Sequence, residues 1–320
     1  MRNRMKKLSY VALAVFASAL VFSGCSKKAG AGKIKIGVVQ LVEHVALDAS
    51  YQGFVDGLTD AGYVNGENIV IDYQNAQGEQ ANCVTIANKL VNDKDDLILA
   101  IATPAAQAVA NLTTTIPILV TAVTDPEKAK LVKSNSKPET NVSGTSDLTP
   151  VAAQISLLKK ILPAAKKVGL MYCSSEQNSV FQINLAKDAC KKEGLDFVEA
   201  TVSNSNEIQQ VTQSLVGKVD AIYIPTDNML AAGMATVAMV ANAAKIPTIC
   251  GEKGMVDAGG FVTYGINYYE LGKQTAKMAV EILKEGKQPA DMPIQYLENC
   301  DLAVNEQTRA TLGITLPENL

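Results

Sequence analysis

Short runs of Val, Ile and Leu recur along this chain with helix-length stretches between them, and the whole series occurs twice. Residues 34–39, 68–73, 97–101 and 116–120 read as the first set of strands. Such runs are expected to be buried on both faces, as in a parallel sheet. Residues 49–61, 79–92 and 104–112 read as the helices between them, with Pro104 in a first turn and Gly62 at a C-terminal cap. The series restarts with strands at 168–172, 197–201, 221–224 and 247–250 and helices at 150–162, 179–193, 207–216 and 229–244. A strand at 261–266, a helix at 268–284 and an extended segment at 294–304 close the chain. The pattern predicts an α/β fold of two doubly wound parallel-sheet lobes. Sharing the tail between the lobes gives a hinge of three crossings, near Gly144, Asn267 and residues 289–295. The expected N-terminal lobe is 33–144 plus 267–290, and the C-terminal lobe is 145–266 plus 291–320. Ligands bind outside the carboxyl ends of strands in such sheets, so two lobes facing each other enclose a small molecule by hinged closure.

The first residues set the expected compartment. Arg2, Arg4, Lys6 and Lys7 precede an apolar run over 11–22, and Ser23, Gly24 and Cys25 follow at once. This is the layout of a secretory signal over 1–24, too short to span a bilayer comfortably. Its end resembles the bacterial lipobox, although Phe22 stands where that motif usually has leucine. Cys25 is therefore the expected site of lipid attachment, with 25–32 as a small, basic tether.

Charge and residue counts exclude several function classes. The formal charge is −3, and removal of the leader takes away four cations and no acid. An acidic mature chain without a basic cluster argues against nucleic acid as a partner. Of six cysteines, five remain after Cys25, an odd number with no CxxC spacing. Most of them read as small buried hydrophobes rather than as a disulfide framework or a metal site. A single histidine, no GxSxG elbow and no Walker loop weigh against an exported enzyme. No metal or cofactor is expected.

Several segments in order carry a family resemblance. They are IGVVQLVEH at 36–44, ATPAAQA at 102–108, TAVTDP at 121–126, SSEQNS at 174–179, IPTDN at 224–228 and GINYYELG at 265–272. With these the chain resembles the type I periplasmic binding fold over nearly all of its mature length. Within that fold it looks like the lipoprotein substrate-binding subunits of ABC importers that take tryptophan and other aromatic amino acids. The resemblance implies a small-molecule ligand, an amino acid first. It also implies an ABC permease with its ATPase as partner, and a membrane reached through the lipid on Cys25. A branched-chain amino acid, a nucleoside or a sugar is the alternative cargo, and a ligand-sensing module for a receptor is the alternative role.

The resemblance, with the strand-end rule, nominates the ligand contacts. Thr103, Ala105 and Gln107 open the helix at 104–112, where free N–H groups suit a ligand carboxylate or are simply capped by Thr103. Thr124 follows the strand at 116–120, and Glu176, Asn178 and Ser179 follow the strand at 168–172. Asp227, just past the strand at 221–224, is the expected partner of a ligand ammonium and also a natural N-cap. Glu252 sits in the same position after the strand at 247–250. His44, Tyr51 and Tyr264 are candidate walls for an aromatic side chain.

Overall fold

The computed structural model describes residues 32–317 and 320. The expected leader, Cys25 and the tether up to residue 31 lie outside the described residues. Among the described residues the strands are β1 (Ile34–Gln40), β2 (Ile69–Asn75), β3 (Leu97–Ile101), β4 (Ile118–Val123), β5 (Val142–Ser146) and β6 (Lys167–Cys173). They continue with β7 (Asp196–Val202), β8 (Ala221–Ile224), β9 (Thr248–Cys250), β10 (Val262–Gly265), β11 (Gln295–Tyr296) and β12 (Asp301–Val304). The α-helices of the first half are α1 (Val45–Asp60), α2 (Gln80–Asn92), α3 (Thr103–Ala110), α4 (Val151–Ile161) and α5 (Gln177–Lys192). Those of the second half are α6 (Ile208–Leu215), α7 (Asn228–Ala232), α8 (Met234–Ala243), α9 (Lys253–Asp257), α10 (Tyr268–Glu285) and α11 (Glu306–Leu312).

Two lobes result. One sheet has the order β11-β5-β4-β3-β1-β2 and the other β12-β10-β9-β8-β6-β7. All pairs are parallel except β10 with β12. The expected continuous burial holds where it matters most, since every side chain of β3, β4, β5 and β8 is buried. Each fully buried Ile or Leu stabilises the fold by about 1.5–3 kcal/mol, which is why these strands run unbroken through the core.

The first and third crossings differ from the sequence reading in position, while the second lies at Asn267 as expected. β5 continues past Gly144 to Ser146, and β11 pairs with it at Gln295↔Thr145 and Tyr296↔Ser146. The first crossing therefore lies between Ser146 and Val151 and the third between Tyr296 and Asp301, with the second between Gly265 and Tyr268. The segment expected to be extended over 294–304 is two short strands in different sheets. The helix expected over 229–244 is broken at Gly233, where a Cβ would stand 2.3 Å from Ile208 Cδ1. The Ile208 side chain of α6 packs close on that turn, and the glycine divides α7 from α8. The short helices α9 and α11 carry too few residues to show a 3.6-residue period in the sequence.

Candidate functional site

The carboxyl ends of both sheets meet in one enclosed space. Its walls are His44, Leu47, Ala122 and Thr124 from the first lobe and Asn178, Thr226, Asp227, Asn228, Ala231 and Glu252 from the second. Asp147 and Tyr268, at the first and second crossings, complete it. The cavity is about 10 Å³, room for about one water. The lobes are shut on it by direct contacts. His44 Nε2 lies 3.4 Å from Asn228 Oδ1, Thr124 Oγ1 lies 3.4 Å from Thr226 Oγ1, and Gln182 Nε2 donates to Thr124 Oγ1 at 3.3 Å. At the rim, Gln107 Nε2 donates to Gln177 Oε1 at 2.6 Å and Gln177 Nε2 donates to the Lys128 carbonyl at 3.1 Å.

Carboxylates dominate this space. Asp147, Asp227, Glu252 and Glu176 are 4 %, 1 %, 3 % and 6 % exposed, yet no lysine or arginine lines the cavity. Burying charge without a counter-charge is costly, and Asp147, Asp227 and Glu252 become weaker acids for it. Burial pushes the Asp147 carboxyl up to about 6, against the hydrogen bond from Tyr268. Burial likewise holds Glu252 at about 7, against the N–H groups of Gly254 and Met255. Asp227 is raised well above the usual carboxylate range by burial and by the nearby Glu176. Burial lowers the His44 imidazole to about 4, so it is neutral at pH 7.

Three buried polar atoms of the cavity wall are left without a partner. Asp147 Oδ1, Asn178 Oδ1 and His44 Nδ1 are enclosed and have no hydrogen-bond partner, and all three residues line the cavity. Such atoms are rare in folded proteins because each costs about 1–3 kcal/mol. Ala122, also in the wall, is held at φ 54°, and Ala102 before α3 at φ 80°. Backbone strain of this kind costs roughly 1–3 kcal/mol and clusters at ligand sites. A larger groove of about 890 Å³ lies along 129–131, 139–142 and 288–290 of the first lobe. No unpartnered buried side-chain atom lines it, so size alone does not pick the site.

The structure brings six of the nominated residues to the cleft. His44, Thr124, Asn178, Asp227 and Glu252 line the cavity, and Thr103 lines a small adjoining space that Asn178 shares. Asp227 is also the N-cap of α7. Its Oδ1 accepts from Leu230 N at 2.8 Å and its Oδ2 from Cys173 N at 2.6 Å, so both oxygens are engaged by backbone. Glu252 caps α9 in the same manner through Gly254 N and Met255 N. Glu176 stands one layer behind, accepting from Asn178 Nδ2 at 3.1 Å and Met229 N at 3.0 Å. Ser179 is buried beside Asp227 without reaching the cavity. Ala105 belongs to the core of the first lobe, and Gln107 to the rim contact. Tyr51 is on an outer surface against Tyr73, ring centroids 4.4 Å apart. Tyr264 packs on the core of the second lobe. Ala105, Tyr51 and Tyr264 are turned to other faces by the helical and strand periods.

Asp147 and Tyr268 are among the wall residues that sequence reasoning passed over. Asp147 directly follows β5, and the strand-end rule that selected Thr124 and Asp227 selects it too. It was hidden because 141–148 reads as a junction between lobes.

Two doubly wound lobes shut on a cavity at their strand ends define a bilobal solute-binding protein. The chain belongs to the family of ABC transporter substrate binding proteins, whose model matches residues 35–320. It is 43% identical to a tyrosine-binding protein of Clostridioides difficile over 97% of this chain and 93% of that protein. A solved structure described as an ABC domain in complex with L-Trp, from Streptococcus pneumonia, superposes with a TM-score of 0.86 at 39% identity, covering 89% of this chain and 96% of that one. The ligand-free, open structure of a substrate binding protein with adhesive properties from Clostridium difficile is 48% identical over 89% of this chain and 97% of that one. Its TM-score is only 0.69, which agrees with the shut cleft of the present chain. Among the described residues no helix is long and apolar enough to cross a membrane, and no cluster of side chains could hold a metal ion.

Proposed function

We propose that this protein captures an aromatic amino acid outside the cytoplasm and delivers it to an ABC permease with its ATPase. The observation that carries the reading is the buried Asp147 carboxylate, one oxygen unpartnered, in an acidic cavity without a cation. A ligand ammonium supplies the missing charge. The ligand carboxylate belongs toward the start of α3, where no side chain caps the helix and Thr103 adjoins the cavity. Similarity to a tyrosine-binding protein and to a chain solved with L-Trp supports an aromatic side chain. Ligand bridging both lobes shifts the population from open to closed. The proposed role is binding, supported by membership of a substrate binding protein family and by similarity to a protein named for tyrosine binding.

A thermal-shift panel tests the cargo. L-Tyrosine, L-tryptophan or L-phenylalanine at about a hundred times its Kd stabilises the protein by about 2.7 kcal/mol, while leucine, nucleosides and sugars leave the melting temperature unchanged. A shift given by a sugar alone refutes the reading. The lipid anchor rests on Cys25 after its apolar leader. Cys25→Ser then moves the protein from the membrane fraction to the soluble fraction, and retention of the variant in the membrane removes the anchor.

A further inference from the structure

Tyr268 is the first residue of α10 and only 6 % exposed, and it lines the same cavity as Asp147. Its hydroxyl donates to Asp147 Oδ2 at 2.7 Å. Asp147 Oδ1 is left without a partner. One bond therefore joins the first hinge crossing, just after β5, to the second, just before α10.

The tyrosine is itself held firmly. Ser50 Oγ of α1 donates to its carbonyl at 3.2 Å. Beside it, α1 and α10 meet backbone to backbone. A Cβ on Gly272 would stand 2.0 Å from the Ser50 carbonyl oxygen, and one on Gly53 would stand 2.0 Å from the Tyr269 carbonyl oxygen. Contacts this close allow α10 little freedom to shift on α1. The phenol is thus an extension of the rigid first lobe, aimed at the hinge.

From this geometry we infer that Tyr268 is a positioning residue for the ligand ammonium: it fixes one oxygen of Asp147, turns the other into the cavity, and ties ammonium capture to the hinge. The inference rests on the ammonium reading of Asp147. The ionisable groups that share the cavity with Asp147 are His44 from the start of α1, Asp227 from the start of α7, Glu252 from the start of α9 and Tyr268 itself, with no lysine or arginine.

The phenol hydrogen bond favours the ionised carboxylate, opposing the effect of burial. Its removal makes Asp147 a weaker acid, so more acid remains protonated near pH 6. Tyr268→Phe keeps the ring and its packing and deletes the hydroxyl alone. Calorimetric titration of this variant with L-tyrosine and L-tryptophan from pH 5.5 to 8.5 tests the role. The expected affinity is within about threefold of the unaltered protein at pH 8 and at least about tenfold weaker at pH 6, with the midpoint of the pH profile moved upward. Thermal unfolding of the empty variant, still cooperative, separates this result from misfolding. An unmoved midpoint, with equal loss at both pH values, overturns the positioning role. Asp147→Asn run in parallel keeps the two ideas apart. If it binds normally, the ammonium reading falls. If it loses binding while Tyr268→Phe keeps the original profile, only the inference falls.

Discussion

Asp147→Asn weakens capture of an aromatic amino acid by at least about a hundredfold, or about 2.7 kcal/mol, in a calorimetric titration at pH 7.5. Asparagine has the same shape, and its side-chain oxygen can still accept from Tyr268, so the hinge contact survives. What is lost is the negative charge opposite the ammonium. Removing one partner of a buried hydrogen-bonded charge pair costs 2–5 kcal/mol or more, because the other charge is left uncompensated. The empty protein should not become less stable, because the substitution removes a desolvated carboxyl whose proton affinity is already raised. A variant with unimpaired binding would move the ammonium site elsewhere in the cleft. Asp227 is the next candidate, though both of its oxygens already accept backbone N–H groups.

The second expectation concerns pH. Capture weakens roughly tenfold or more between pH 7.5 and pH 5. About tenfold follows if only Asp147, at about 6, must ionise; nearly a thousandfold follows if Glu252, at about 7, must ionise as well. An ammonium favours the ionised carboxyls, so binding near pH 6.5 releases protons, and titration in buffers of different ionisation enthalpy counts them. The empty protein behaves in the opposite sense. A carboxyl whose pKa is raised in the folded state contributes stability below its unfolded value near 4 and loses it as pH rises through 6 to 7. His44, lowered to about 4, contributes stability above 6.5 that is lost as pH falls toward 4. The raised acids Asp147, Asp227 and Glu252 outweigh one imidazole. The melting temperature of the empty protein therefore falls from pH 5 to pH 7.5, and saturating ligand offsets the fall. A flat profile with no proton release would contradict a cavity of protonated acids.

Much of the architecture was legible because a buried parallel strand leaves a strong mark. β3, Leu97–Ile101, and β8, Ala221–Ile224, were read to the residue from their apolar runs. The crossings were harder. β11 is two residues long and joins its sheet by backbone pairing at the edge, which leaves little trace in side-chain pattern. In the site, the strand-end rule found Thr124, Asp227 and Glu252, since position after a strand is a backbone property that sequence reports well. The aromatic walls expected at Tyr51 and Tyr264 were misplaced, because facing the cleft depends on rotation about each element and on how the other lobe closes. The same limit hid Asp147 and Tyr268: their pairing over 2.7 Å joins positions far apart in sequence, and only the folded hinge brings them together.

A crystal structure of the complex with L-tyrosine or L-tryptophan tests the central claim most directly. The account predicts the lobes closed on the amino acid, its nitrogen about 3 Å from Asp147 Oδ1 and its carboxylate toward the start of α3. A ligand nitrogen turned to solvent, or a carboxylate seated at Asp147, would contradict it.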